Sequence, residues 1–353
     1  MTSEELRVGR ALRGALLTTL LTMGAVAAGA LVVFRSTFSL DDLQAALAGA
    51  DPSLVAASIF AMSSGMVFFA LRWRSLMVGG HDIPVGPLTG VVCSALLLNY
   101  AAPGPVGELA AAGIVQRRWK VPAAVALASD LHARFLGLGL AGLLAGTVWL
   151  FGDLPVPAEH DALMGAAAAA ISVGAIGLAA LSARPELLRA ISAATFGRLA
   201  GESLLGRGAR FLDGAVVHLA EAFGGVMRLP ARAWGMAGVW ALGSHGAVTT
   251  GIWLGALALG FDAPIGGCLF TYAASTAGVV ALFALPGGGQ VGWDALFLAF
   301  FVTTTGASAE VGLAVTLLVR TQQTLLLLGG VAALIWTGRA VQASGSSKSA
   351  SPT

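Results

Sequence analysis

The sequence predicts an all-α integral membrane protein: a polytopic helical bundle of about six full crossings plus two re-entrant helical hairpins, laid out as an inverted repeat. Three observations predict it. Of 353 residues, 57% are hydrophobic and only 11% charged, where soluble domains carry about a quarter, and the mean hydropathy is +0.84. Several apolar stretches reach the roughly 20 residues that span a bilayer core. Two further apolar runs break at Pro-Gly sequences and resume at once as short apolar pieces. The 48 glycines fit membrane helices, whose close approach relies on small residues.

The elements follow in order. Residues 1–13 are a basic cytoplasmic segment (Arg7, Arg10, Arg13), and a first span runs from Gly14 to Phe34. That span is too long for a cleavable signal peptide and lacks a convincing cleavage site. An amphipathic link (Ser39 to Asp51) leads to a second span, Pro52 to Leu71, ending in Arg72-Trp73-Arg74. The run Leu88 to Ala102 breaks at Pro103-Gly104-Pro105, and Val106 to Val115 follows. After Gln116 to Lys120 come a span from Val121 to Phe151, an acidic link (Asp153, Glu159, Asp161) and a span from Leu163 to Ser182. Residues 183–233 carry seven Arg and four acids between apolar residues, a pattern expected of an amphipathic connector on the anionic inner leaflet. Spans at Trp234–Leu259 and Ile265–Leu285 precede the second break, Pro286-Gly287-Gly288-Gly289-Gln290. A short piece, Trp293 to Val302, and a last span, Ala309 to Trp336, complete a single membrane domain over 14–338. The Ser-rich tail 339–353 is expected to be disordered.

Orientation comes from the basic residues. With the amino terminus in the cytoplasm and neither broken pair crossing, 17 of the 20 Lys and Arg fall inside, Arg35 falls outside, and Arg134 and Arg320 lie within spans. Both termini are then cytoplasmic in a multi-pass protein of the cell (inner or plasma) membrane. If the hairpins crossed fully, Arg117, Arg118 and Lys120 would face outward, against the rule.

The two breaks match. Each is Pro-Gly, then Val-Gly, then a carboxylate opening a short apolar helix: Glu108 in one, Asp294 in the other. In each, an intramembrane Arg follows the acid, and the separation from Glu108 to Arg134 equals that from Asp294 to Arg320. One constant offset therefore carries both members of the first motif onto the second. On the derived topology the hairpins open to opposite faces, the layout transporters use to place a site at the midplane. Irregular backbone at membrane depth is tolerated only inside protein or along a wet cavity. Helix ends at the tips (Pro103, Gly104 and Gly107; Pro286, Gly287 and Gly288) offer N–H groups suited to an anion. A charge at mid-helix costs about 2.5–3.5 kcal/mol on insertion scales, so each must find a partner or line a groove. Asp130, one turn before Arg134 on the same face, is its nearest local partner. Either these acids and arginines contact a ligand, or they only lock helices together.

Other residues carry less. Cys93 and Cys268 read as buried thiols, and His245 as a hydrogen-bonded core histidine. His132 is given no role. Trp73 and Trp119, beside basic clusters, read as interfacial anchors. The PGGGQVG run lacks the Lys-Ser/Thr of a phosphate-binding loop. No metal-ligand spacing and no nucleophile–base motif is present, so neither a metal, a cofactor nor an enzymatic activity is expected. The aromatic and Gly pattern of nucleic-acid folds is missing too.

The sequence resembles the lysylphosphatidylglycerol synthase transmembrane-region family of flippase-like membrane proteins over about residues 15–337. The landmarks are Arg72-Trp73, Asn99 through Gly107-Glu108, Arg134, Pro286-Gly287-Gly288 before Asp294, and Arg320. The resemblance implies a helical membrane fold with two re-entrant hairpins and a role in moving or handling a lipid with a polar or charged headgroup. It also departs from the family pattern. Leu109-Ala110-Ala111-Ala112 replaces the Arg usual after Gly-Glu, Asp294 replaces Glu, and Ala133 replaces the acid often found before the Arg. No soluble aminoacyltransferase domain is expected after the membrane part. The expected function is a lipid flippase with membrane lipids as partners. The alternative is a non-transporting scaffold for a glycolipid or lipid-modifying enzyme. That enzyme, or a second copy of the chain, is the remaining candidate partner.

Overall fold

The computed structural model describes residues 39–78, 82–101, 106–182, 184, 186, 220–278 and 288–348. Among these there are helices and no strands. In chain order they are α1 (Leu40–Ala48), α2 (Pro52–Leu76), α3 (Val85–Ala101), α4 (Val106–Trp119), α5 (Ala123–Phe151), α6 (Ala158–Ser182), α7 (Ala231–Ala258), α8 (Ile265–Gly278), α9 (Gly288–Thr305) and α10 (Ala309–Lys348). The expected first span, Gly14–Phe34, most of the 183–233 connector, and the tip residues Pro103, Gly104, Pro286 and Gly287 lie outside the described residues.

Among the described residues, four helices are long and apolar enough to cross a membrane: Pro52–Leu76, Ala123–Phe151, Ala158–Gly177 and Ala309–Ala332. The protein is thus a multi-pass helical membrane protein. α7 has 28 residues, ample length, but its Gly, Ser244, His245, Thr249 and Thr250 make it less apolar than those four.

Local chemistry explains the helix ends. Asp51 caps α2, its carboxylate accepting from the Ser53 and Leu54 N–H groups at 2.8 and 3.3 Å. Pro52 at the first helical position is preset for the turn. The Ser53 hydroxyl, with the two backbone donors, holds the exposed Asp51 carboxyl below its usual range. Ser39 caps α1, and its N–H donates to the Glu310 carboxylate at 2.9 Å, tying α1 to α10.

The centre is the antiparallel pair α2–α7, packed through small residues. Ser58 Oγ donates to Gly251 O (2.6 Å) and Ser244 Oγ to Gly65 O (3.1 Å). Both glycines are required: a Cβ at Gly65 would lie 2.8 Å from Val248, and one at Gly251 2.5 Å from Met62. Around this pair, α3 and α4 form one antiparallel hairpin and α8 and α9 another. The long helix α10 packs on α3, and α5 packs on α8 and α6. Ser172 of α6 donates to Gly142 O of α5 at 2.7 Å.

Three expectations change here. Trp73 is not an interfacial anchor: it is 1% exposed, and its indole N–H reaches Ala126 O and Ser129 Oγ at 3.2 and 3.0 Å. α2 runs on to Leu76, so Trp73 lies within the bundle, where its N–H must find acceptors. Residues 220–227, at the end of the expected surface connector, are helical, and Phe223 and Val226 join the core formed by α2 to α5. Residues 339–348, expected to be disordered, continue α10 to Lys348. Extending an existing helix avoids the nucleation cost that a free segment meets.

Candidate functional site

The first hairpin places its acid by close backbone contact. A Cβ on Gly107, in the first turn of α4, would collide with the Ala95 carbonyl oxygen of α3, so only glycine permits the approach. Asn99 of α3 bridges the tip, its Oδ1 accepting from the Gly107 N–H at 2.7 Å and its Nδ2 donating to Glu108 Oε1 at 2.9 Å. Glu108 is buried at 3% exposure.

α5 presents Asp130, Arg134 and Gly137 on one face. Arg134 Nη1 lies 3.0 Å from Glu108 Oε1, and its Nε 3.0 Å from Asp130 Oδ2. One guanidinium therefore bridges two carboxylates on two helices. Glu108 Oε2 and Asp130 Oδ1 are buried and, among the described residues, have no hydrogen-bond partner.

The second pair closes differently. Arg320 Nε donates to both Asp294 oxygens at 3.0 and 3.2 Å, its Nη2 bonds Asp294 Oδ1, and its Nη1 meets Gln323 Oε1 at 3.3 Å. Trp293 lies beneath, with the guanidinium 5.2 Å from its ring centre. The Arg320 side chain is 3% exposed, against 19% for Arg134. All five acids and arginines singled out from the sequence are thus partnered, Glu108 and Asp130 with Arg134 and Asp294 with Arg320. Of the six tip residues, Gly107 and Gly288 are described, Gly288 as the first residue of α9.

Sequence reasoning missed Arg72. It counts there among the 17 cytoplasmic charges, but the structure buries it at 4% exposure. Its guanidinium stacks on Phe69 at 4.4 Å, and Arg134 lies 5.2 Å from the same ring. It fills a notch at Gly137, where a Cβ would collide with it. Asp130, Arg134 and Tyr272 are within its electrostatic reach. Its Nε has no hydrogen-bond partner among the described residues. An uncompensated buried charge costs about 3–5 kcal/mol when a partner is removed, and a cation–π contact returns about 0.5–2 kcal/mol. The signal available was Phe69 one turn before Arg72 on a helix that continues past it.

Polar groups join the two pairs. His245 Nε2 donates to Gly137 O at 3.0 Å, and its ring centre lies 5.6 Å from that of Tyr272. Thr276 accepts from the Trp293 indole at 3.4 Å, and Trp293 adjoins Asp294 and Arg320. His132, given no role, donates from Nδ1 to Ala128 O at 2.9 Å and packs on Phe223.

None of the curated proteins matches this chain. The family model described as the lysylphosphatidylglycerol synthase TM region matches residues 20–330. That span covers most of the chain and every charged residue of the two pairs, so the protein belongs to the lysylphosphatidylglycerol synthase TM region family.

Proposed function

We propose that the protein is a flippase-like membrane protein, not an enzyme, that translocates or handles a lipid with a polar or charged headgroup, whether a phospholipid or a polyprenyl-phosphate-linked lipid. A midplane polar groove opens alternately to the two leaflets while the acyl chains stay in lipid. Glu108, Asp130 and Arg134 line one part of the groove, and Asp294 and Arg320 brace or line the other. The observation that carries the reading is the recurrence of a buried acid–arginine pair at the foot of each of two hairpins. Such charges are costly at membrane depth and mark transport pathways by default.

The reading includes six crossings, two re-entrant hairpins and an inverted repeat. The α2–α7 seam supports the repeat. The offset that carries Glu108 to Asp294 also carries Ser58 to Ser244, Met62 to Val248 and Gly65 to Gly251. The two hydrogen bonds across the seam are therefore copies of each other, the reciprocity that a two-fold axis produces. α10 on α3 and α5 on α8 are likewise equivalent pairings. Since α2 and α7 run antiparallel and each leads into a hairpin, the hairpins enter from opposite sides. Re-entrance is supported by length: α3 and α4 have 17 and 14 residues, about 25 and 21 Å at 1.5 Å per residue, against a core of about 30 Å. With Arg72 removed from the loop count, 16 basic residues still favour cytoplasmic termini.

Reconstitution into liposomes with labelled lipids tests the function. Glu108→Gln and Arg320→Gln should abolish lipid movement per folded molecule while the protein stays monodisperse in detergent. Unchanged specific activity in both variants would favour the scaffold reading, which the closed Asp294–Arg320 pair otherwise fits. Topology has its own test. Cys93 and Cys268 are buried, so single added cysteines report alone: at Ser182 and Ala231 they should label only from the cytoplasmic side, and at Ala158 only from outside. Outside labelling at Ser182 would sink the orientation.

A further inference from the structure

We propose that Arg72 is a phosphate-holding residue of the headgroup site, seated behind Arg134 in the notch that Gly137 keeps open; this rests on the lipid-handling reading above. Four observations carry it. Arg72 is charged, 4% exposed and unpartnered at Nε among the described residues, whereas about nine in ten buried polar groups find a partner. It shares the Phe69 ring with a second cation, Arg134. Glu108 and Asp130 each give one oxygen to Arg134 and neither bonds Arg72 among the described residues, so the Arg72 guanidinium keeps its donors for an anion beside it.

The notch is specific. At Gly137 any Cβ would collide with the guanidinium, so the backbone of α5 is left bare where Arg72 lies. The fourth observation is that the repeat does not need Arg72. Carried forward by the offset from Glu108 to Asp294, its position is Ala258 and that of Gly137 is Gln323. Ala258 is itself buried at 2% exposure. The second half thus closes with no cation there, and Arg72 answers to something other than architecture. A guanidinium fork matches two oxygens of a phosphate group, the charged group common to phospholipids and polyprenyl-phosphate lipids. Arg134, whose side chain is 19% exposed, stands at the mouth, and Arg72 at the back.

The test reads binding, not transport. The purified full chain in detergent is melted with dihexanoylphosphatidylglycerol, inorganic phosphate or dihexanoylglycerol. A phosphate-bearing probe should raise the melting temperature of the wild type, and dihexanoylglycerol should not. R72Q should lose the shift, and R74Q, altered outside the site, should keep it. R72K retains the charge and thus the better prospect of folding; it should bind with a half-saturation weaker by roughly tenfold, the loss of about one charge-assisted hydrogen bond. If only the lipid probe shifts the wild type, the phosphate is a headgroup's; an equal shift by inorganic phosphate makes it a free anion. A wild-type shift retained in R72Q, an R72K curve identical to wild type, or no shift with either phosphate probe would overturn the assignment. A protein that binds through Arg72 but moves no lipid would instead overturn the flippase reading alone.

Discussion

In the first half of the molecule Arg134 divides itself between Glu108 and Asp130 and still reaches the protein surface. In the second, Arg320 closes on Asp294 and is buried. The offset that superimposes the motifs shows where the halves part. Asp130 corresponds to Thr316, Arg72 to Ala258, Gly137 to Gln323 and Asn99 to Leu285. The first half therefore holds two charges that the second lacks, together with carboxylate oxygens left without a partner among the described residues. Among the described residues, the second meets Arg320 with the Asp294 carboxylate and the neutral Gln323 amide. Under the proposed repeat, shared backbone contacts with unshared charges would mean a doubled scaffold whose chemistry belongs mainly to one copy.

The largest effect expected of this difference is in stability. Asp294→Asn leaves Arg320 buried without a carboxylate, which should cost about 3–5 kcal/mol. Glu108→Gln leaves Arg134 with Asp130 and a route to the surface, and should cost only about 1 kcal/mol. Unfolding in mixed micelles by a denaturing detergent would measure both. Equal losses would erase the distinction between an open and a closed half. In transport the order should reverse, with Glu108→Gln the more damaging per folded molecule.

How far this was legible depends on where the deciding contact lies in the chain. Asp130 and Arg134 are one turn apart, so helical period alone pairs them. The Glu108–Arg134 and Asp294–Arg320 pairs were legible because a Pro-Gly break, an acid and an Arg recur at one spacing. Arg72 was not: beside Arg74 at the end of an apolar run it reads as a loop charge, and its burial is decided by Gly137 and Phe69 packing around it. Trp73 failed for the same reason, its acceptors being on α5. The reciprocal seam was hidden in Ser and Gly, residues too common here for their spacing to stand out before contacts are known.

That seam offers a middle-sized effect that tests the doubling itself. Ser58→Ala and Ser244→Ala each remove one copy of the same hydrogen bond and should each cost about 0.5–1.5 kcal/mol. Ser58 should sit at the upper end, because its hydroxyl also meets the Gln322 amide at 2.9 Å. Gly65→Ala and Gly251→Ala overpack the seam and should cost about 1–3 kcal/mol. Gly251→Ala should be the more costly, since its Cβ would meet Met62 Cγ at 2.5 Å and the Ser58 carbonyl oxygen at 3.2 Å. At Gly65 the backbone lies 3.6 Å away, and only a Val248 methyl, at 2.8 Å, must give. A large cost at one serine and none at the other would mean that the two contacts are not equivalent.

The smallest effect concerns the turn that joins each short helix to the long one. In the first half it passes through Lys120 at φ 60°, in the second through Gly306 at φ 71°, and the same offset that matches the motifs carries one onto the other. Both turns use the left-handed region, which costs a residue with a Cβ about 1–2 kcal/mol and glycine little. The first half therefore carries strain that the second avoids. Lys120 N–H closes α4 by donating to Gln116 O at 3.0 Å, so the conformation is held by the helix end and not by the lysine side chain. Lys120→Gly should then stabilise the protein by up to about 0.5 kcal/mol, the relief being partly offset by glycine's greater freedom in the unfolded chain. Gly306→Ala should destabilise it by about 1 kcal/mol from the left-handed backbone alone, although no atom lies closer than 3.9 Å to the added Cβ. Opposite signs at equivalent positions would show one backbone conformation copied into both halves with glycine kept in only one. A neutral result at both would mean that the turns relax independently and that the match ends at the helices.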